Sequence, residues 1–275
     1  MEPKSILTYE NLKILCPACR TGHLDLTSAN SEVHCSVCDA SYQMKNGIID
    51  LLPDSPHQEH IFGGAIESEW FVRFYESRWW RRGLVNNLYL AISFDDELEM
   101  ISQAATLKDA RTVLDLACGS GIYTRPFART LDQGIAVGLD LSMPMLDYAA
   151  AKAETEGISN TLFIHGDAHH LPFPDNQFDV VNCSGALHVF PDLPKVLSEV
   201  HRVLTPGGYF TGGIGRWPWQ GKFGSKFRDW YKRRAGIQGF YLEELEAYFR
   251  EAGLVNIVCH YEKRAWFIMS AMKPQ

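Results

Sequence analysis

Residues Val113 to Gly121 read VLDLACGSG, and nineteen residues after Gly121 the carboxylate of Asp140 closes the apolar run in VGLDLS. The first stretch is an apolar strand that enters a glycine-rich turn. The second is another apolar strand that ends in an acid. Gly119 and Gly121 leave the backbone open to a ligand, because no Cβ stands in the way. A carboxylate at the end of the next strand accepts hydrogen bonds from both hydroxyls of a ribose. These features describe a nucleoside-binding edge on an open α/β sheet.

A dinucleotide site asks for G-x-G-x-x-G with helix N–H groups facing a pyrophosphate. Here Thr124 stands at the third glycine position, followed by Arg125 and Pro126. Asp115 lies inside the strand end, where its charge suits an ammonium-bearing ligand better than a pyrophosphate. The turn, read as Asp115-x-x-x-Gly119-x-Gly121, resembles the glycine motif of the class I S-adenosylmethionine-dependent methyltransferases. Ala117 stands where many members carry glycine. Alone, the motif also fits an ordinary strand–turn–helix. Four further segments follow in that family's order: GDAHHLPF (166–173), FDVVNCSGALHVFPD (178–192), EVHRVLTPGGYFTGG (199–213) and the helical FYLEELEAYFREAG (240–253). The last has Leu242, Leu245, Phe249 and Ala252 on one face, Gly253 as its stop, and strand-like runs at 254–261 and 265–272 beyond it.

This resemblance covers roughly residues 95–275 and implies a doubly wound, mostly parallel α/β sheet of seven strands. It implies S-adenosylmethionine as cofactor, held by Asp115, Ala117, Gly119, Gly121, Asp140, Leu141, Asp167, Ala168 and Ser184. In that scheme Asp140 takes the ribose, Asp167 meets the adenine amino group, and Ala168 offers its backbone N–H. His188, just after the fourth strand, is the candidate catalytic base or substrate-orienting group; a histidine packed at a strand end is the alternative. Tyr75, Trp79 and Trp80 are candidate walls of the acceptor pocket, with an ordinary aromatic core stripe as the alternative.

Length and composition bound the rest. A chain of 275 residues carries a prior of about two domains. Hydrophobic content of 46% fits a globular protein. No run approaches the ~18 apolar residues of a membrane helix. The opening MEPKSILTYENLK is charged and polar, unlike a secretory signal, so the expected compartment is the cytoplasm. A net charge of −7 argues against a protein whose main task is gripping nucleic-acid phosphates.

Four of the seven cysteines form Cys16-Pro-Ala-Cys19 and Cys35-Ser-Val-Cys38, with fifteen residues between the pairs. This is zinc-ribbon spacing: two knuckles presenting four thiolates to one tetrahedral ion. Two disulfides or four free thiols are the alternatives, and disulfides are disfavoured inside a cell. Four thiolates leave no open coordination position, so the expected zinc is structural. Segments 23–26 and 32–35 read as a small hairpin.

Three regions follow: a ribbon at 1–52 closing with the apolar strand GIIDLL, a linker and aromatic helical segment at 53–111, and the α/β core at 112–275 with an insertion at 216–235. The combination resembles zinc-ribbon-bearing bacterial and plastid methyltransferases, with a core similar to the quinone-biosynthesis C-methyltransferases. FYESRWWRRGL and SGALHVFPDLPKVLSEVHRVLTPGG carry that likeness. The phrase KNGIIDLLP (45–53) also resembles the zinc module of ribosomal-RNA guanine methyltransferases. The leading expectation is methyl transfer to a small aromatic, quinone-like or secondary-metabolite acceptor. Methylation of an RNA base and a non-methylating S-adenosylmethionine-binding module are the alternatives.

The insertion RWPWQGKFGSKFRDWYKRR (216–234) holds seven basic residues against the single acid Asp229, with six interleaved aromatics. Phe223, Phe227, Trp230 and Tyr231 recur at helical spacing. A lid, a peripheral membrane contact and an RNA-docking patch all fit this composition, as does an ordinary solvated face. Its place after the fifth strand favours a lid over the carboxyl edge.

Overall fold

A computed structural model of the chain describes residues 12–26, 31–52 and 90–275. The linker and most of the aromatic segment, including Tyr75, Trp79 and Trp80, lie outside the described residues. Ten strands are described: β1 (Glu32–His34), β2 (Ser41–Lys45), β3 (Ile48–Asp50), β4 (Thr112–Leu116), β5 (Ile135–Asp140), β6 (Thr161–His165), β7 (Phe178–Asn182), β8 (Leu204–Gly215), β9 (Val255–Lys263) and β10 (Trp266–Met272). Six α-helices accompany them: α1 (Phe94–Ala104), α2 (Thr124–Thr130), α3 (Met143–Thr155), α4 (Leu193–Val203), α5 (Gly221–Ala235) and α6 (Leu242–Glu251).

The strands form one sheet in the order β1-β2-β3-β6-β5-β4-β7-β8-β10-β9. From β6 to β8 all pairs are parallel, and β10 runs antiparallel to both β8 and β9. Every residue of β4 is buried, as a strand covered on both faces requires. The order reverses between β5–β4 and β4–β7, which places a topological switch point at the carboxyl end of β4.

The sheet has ten strands where the sequence led us to expect seven. The seven are β4 to β10, and the surplus comes from the cysteine-bearing segment. Ile48, Ile49 and Asp50 pair in parallel with Phe163, Ile164 and His165 of β6. Further bonds reinforce the join: Leu15 N–H donates to Pro172 O at 2.8 Å and Leu51 N–H to His165 O at 3.1 Å. Ile14, Leu24, Val33 and Ile49 are buried in the same apolar cluster as Leu116, Leu162, Ile164 and Phe173. Burying their side chains contributes roughly 1.5–3 kcal/mol each, more than so small a segment could find within itself. The opposite face of the sheet packs α1, α2 and α3 through Ile101, Phe127, Leu146 and Ala149.

Candidate active site

The residues singled out around the glycine turn gather at the carboxyl edge of β4, β5, β6 and β7. After β4 the chain turns through two left-handed positions that glycine relieves: Gly119 has φ +53° and Gly121 φ +71°. Space in front of Gly119 is open, since a Cβ built there would meet nothing within 4 Å. Gly121 faces inward, where a Cβ would lie 3.0 Å from Ala149. Ala117 adopts φ +53°, which explains why glycine suits that position too. Arg125, buried at the start of α2, donates from Nη1 to Ser120 O at 2.6 Å and so braces the turn from behind.

Asp140 closes the site from β5. Its Oδ2 accepts from Gly119 N–H at 2.7 Å and its Oδ1 from Ser142 N–H at 2.8 Å. Each oxygen retains a lone pair for a further donor. Burial pushes this carboxyl above its ordinary value, against the two N–H donors. Leu141 O accepts from His165 Nε2 at 3.1 Å, and His165 Nδ1 meets Asp50 Oδ1 at 2.7 Å. The loop after β5 is therefore tied through β6 to the end of β3.

Asp115 is almost wholly buried. Thr124 Oγ1 donates to its Oδ2 at 2.6 Å and Asn182 Nδ2 to its Oδ1 at 2.8 Å. Register explains the second bond, because Asp115 of β4 pairs with Asn182 of β7. Burial raises this carboxyl to about 6, although both donors oppose the shift. Ser184 extends the row: its hydroxyl donates to Asn182 Oδ1 at 3.0 Å and accepts from Gly213 N–H at 2.9 Å.

Asp167 stands in the loop after β6 with Ala168, which is buried. Its Oδ1 accepts from His169 N–H at 2.9 Å and meets His169 Nδ1 at 2.7 Å, while His170 Nδ1 approaches Oδ2 at 3.3 Å. Burial pushes the Asp167 carboxyl up, but these histidine contacts outweigh it and hold the group below its ordinary value. The same loop is clamped from α4. Leu171 N–H donates to Glu199 Oε2 at 2.9 Å, and Arg202 donates to the carbonyls of Leu171 and Phe173 at 3.0 and 2.6 Å.

His188 sits in a short 3-10 turn, Leu187–Val189, after β7. Its ring meets Trp266 edge-on at 6.4 Å, and a Cβ on Gly215 would lie 3.3 Å from Nδ1. The same Trp266 ring meets a group that the sequence reading missed. Glu97 of α1 is buried, and its Oε1 accepts from Tyr123 Oη at 2.8 Å and Trp266 Nε1 at 3.0 Å. Gly213 permits this approach, since a Cβ there would stand 2.3 Å from Glu97 Oε1. The signal was present in the sequence: Glu97 shares the apolar stripe of α1 with Phe94 and Ile101. An acid on such a stripe is buried only with partners.

Two observations test whether S-adenosylmethionine fits this edge. Space is open at Gly119, whose own N–H donates to the Asp140 carboxylate. The hydroxyls of Ser120 and Ser142, in the two loops that flank Asp140, are buried without a partner among the described residues. The edge thus offers a carboxylate pair, polar hydroxyls and a cradle, which suits a ligand carrying a ribose and an ammonium.

The four ribbon cysteines converge at the other end of the sheet. Their sulfurs all lie within 4.8 Å of one another, with Cys16–Cys38 and Cys19–Cys35 at 3.7 Å. A tetrahedron of Zn–S bonds of about 2.3 Å has edges of about 3.8 Å. A disulfide needs about 2.05 Å. Backbone N–H groups point at the sulfurs, from Gly22 to Cys19 at 3.3 Å and from Val37 and Cys38 to Cys35 at 3.4 Å. Gly22 is required, because a Cβ there would sit 2.4 Å from Cys35 Sγ. The cluster fits zinc by number, spacing and donor chemistry.

Comparison with known proteins agrees with this geometry. Residues 113–208 match the family model described as a methyltransferase domain. A demethylmenaquinone methyltransferase of Bacillus licheniformis is 35% identical over 179 residues, 58% of this chain and 76% of that protein. A chloroplastic methyltransferase of Arabidopsis thaliana is 27% identical over an alignment that takes in 100% of this chain and 82% of the relative. With other relatives the shared part is shorter: the chain spans about half their length, 47% of the demethylmenaquinone methyltransferase of Geobacillus stearothermophilus, at 38% identity over 39% of this chain. Among solved structures, an S-adenosylmethionine-dependent methyltransferase from Aquifex aeolicus shares the fold with a TM-score of 0.57 at 21% identity, covering 74% of this chain and 98% of that one. A phosphoethanolamine N-methyltransferase of Haemonchus contortus shares it with a TM-score of 0.63 at 17% identity, covering 82% and 62%. By its sequence relatives, its sheet order and its glycine-turn edge, the chain belongs to the S-adenosylmethionine-dependent methyltransferase family.

Proposed function

We propose that this protein transfers a methyl group from S-adenosylmethionine to a small aromatic or quinone-like acceptor. The observation that carries the reading is the edge where Asp115 and Asp140 flank an open glycine turn, held by Thr124, Asn182, Gly119 and Ser142. The acceptor class is supported by demethylmenaquinone methyltransferases among the relatives.

When bound, the cofactor would supply a sulfonium methyl group whose leaving group is a neutral thioether, so no general acid is needed on that side. The chain's task is alignment in a dry site, to which positioning contributes up to roughly 7–11 kcal/mol. Asp140 would hold the ribose through its remaining lone pairs. Asp167 and the Ala168 N–H would receive the adenine, in a loop kept in place by Glu199 and Arg202. Asp115, Ala117, Gly121, Leu141 and Ser184 complete the cradle, with Asp115 matching the ammonium charge. His188 orients the acceptor and accepts its proton if the acceptor is acidic enough to give one up. Zinc on Cys16, Cys19, Cys35 and Cys38 is structural, since four thiolates close its coordination.

The test supplies S-adenosylmethionine with demethylated quinones and simple phenols in detergent micelles and follows S-adenosylhomocysteine release together with the methylated product. The expected result is turnover on at least one of these, and a His188→Ala variant that loses turnover while binding cofactor normally. Turnover only on an RNA substrate would refute the acceptor class. A His188→Ala variant with full turnover would reduce that histidine to packing.

A further inference from the structure

The segment that follows β8 buries Trp217 but turns four other large side chains outward. Phe223 is 86% exposed, Trp219 55%, Trp230 52% and Phe227 39%. A neighbouring face of α5 packs on the protein. Gly224 is buried, Trp217 Nε1 donates to its carbonyl at 3.0 Å, and Arg228 pairs with Glu244 and lies 4.5 Å over the Tyr241 ring. At 100° per residue Gly224, Arg228, Tyr231 and Ala235 share this inner face. Phe223, Phe227 and Trp230 form the outer stripe, and Trp219 continues it with its ring 5.7 Å from Phe227. Exposed Lys222, Lys226, Arg233 and Arg234 border the stripe, and Asp229 is the single acid on the helix.

An outward aromatic stripe edged by lysines and arginines suits a helix lying in the plane of a bilayer interface. The rings enter the headgroup boundary and the cations meet anionic headgroups. The chain as a whole carries −7, so attraction to anionic lipid has to come from local basic faces such as this one. Single-stranded nucleic acid would instead need free ring faces on which bases stack. Phe227 and Trp230 each commit one face to the other, stacked at 5.5 Å with planes 13° apart, and the polyuridine arm of the experiment below reads whether the remaining faces take bases.

We propose that α5, with Trp219, docks the protein peripherally on an anionic lipid bilayer. The use of such docking, to reach an acceptor dissolved in the membrane, rests on the quinone-like acceptor proposed above; the docking itself rests on the helix. No helix among the described residues is long and apolar enough to cross a membrane, so the contact is one of surface docking.

The experiment is co-sedimentation of the full chain with vesicles of equal parts phosphatidylcholine and phosphatidylglycerol, and with phosphatidylcholine alone. It is read without acceptor, so its outcome is separate from that of the methyl-transfer assay. The wild type is expected to bind the anionic vesicles about tenfold or more tightly than the neutral ones, and to release as salt rises. The double variant Phe223→Ser/Trp230→Ser is expected to lose about tenfold or more of that affinity, and Lys226→Glu/Arg233→Glu to lose the preference for anionic lipid. All four positions are exposed, so circular dichroism and thermal midpoint should match the wild type and certify the comparison. Equal binding to both vesicle types, anionic binding that survives both double variants, or displacement of the vesicles by a polyuridine oligonucleotide would overturn the proposal.

Discussion

The four-cysteine module and the glycine-turn edge belong to one sheet, yet they are held by opposite means. The module draws its strands together through sulfurs at 3.7 Å and leaves a conspicuous apolar side chain in solvent, Val37 at 66% exposure. The edge is built on buried carboxylates, Asp115 and Asp140, each satisfied at both oxygens by named donors. The module adds β3–β6 pairing and buried apolar side chains to its sulfur clamp, but its knuckles depend on the clamp and are lost with it. A region held by many polar contacts loses one property at a time. The two meet where β3 joins β6 and Asp50 holds His165, which in turn holds Leu141 beside Asp140.

The largest expected effect lies on the module side. Metal analysis of protein purified under reducing conditions should return close to one zinc per chain. Cys16→Ser or a strong chelator should remove it. Structural zinc in small modules carries an apparent ~10–16 kcal/mol of folding free energy, so hydrogen exchange should rise across the cysteine knuckles and β1–β2, while β3, paired with β6, keeps its protection. Cofactor affinity should move only slightly, because the edge keeps its own contacts. A variant that stays folded but no longer binds cofactor would erase the distinction between the two regions.

On the edge side the sharpest effect is on pH. The folded Asp115 carboxyl titrates near 6, pushed up by burial from its ordinary 3.8. The folded state therefore binds the extra proton, and this group's stabilising contribution is full below about pH 4 and is lost as pH rises through about 6. The loss amounts to about 3 kcal/mol. Measured against Asp115→Asn, which cannot ionise, the wild type should lose stability over that window and hold level above it. Cofactor should reverse the trend, since an ammonium nearby favours the ionised form; its affinity for the wild type should rise with pH through about 6 and stay flat for Asp115→Asn. Parallel stability curves for the two proteins would contradict this assignment.

A smaller effect is expected at Glu97, between α1 and the sheet. Glu97→Ala leaves Tyr123 Oη and Trp266 Nε1 without the oxygen they share. The expected cost is about 1–3 kcal/mol in denaturant unfolding, with cofactor affinity retained. An unchanged midpoint would mean that these donors find other partners.

Much of the edge was legible in the sequence because it is local. VLDLACGSG is a strand and its turn, and Asp140 needed only the end of the next apolar run. The helix at 242–251 followed from Leu245 and Phe249 on one face, and both are buried. The cysteine knuckles declared themselves by spacing. What was not legible depends on pairing across long separations. Nothing in GIIDLL says that it will lie against TLFIH more than a hundred residues later, and this is why the sheet was undercounted. Asn182 and Thr124 became partners of Asp115 only once β4, β7 and α2 were in register. The face that α5 presents to solvent depends on how Trp217 anchors it, and helical spacing alone does not fix that rotation.

The account rests on the edge between the glycine turn and Asp140 as the seat of S-adenosylmethionine. Calorimetric titration of the wild type and Asp140→Ala with S-adenosylmethionine tests it most directly. Loss of the carboxylate leaves buried ribose hydroxyls and the Gly119 N–H without their acceptor, worth roughly 1–3 kcal/mol. The account predicts saturable binding by the wild type and about tenfold or greater weakening in the variant, with circular dichroism unchanged. Equal affinity in the two proteins, or a wild type that prefers a nicotinamide dinucleotide, would contradict it.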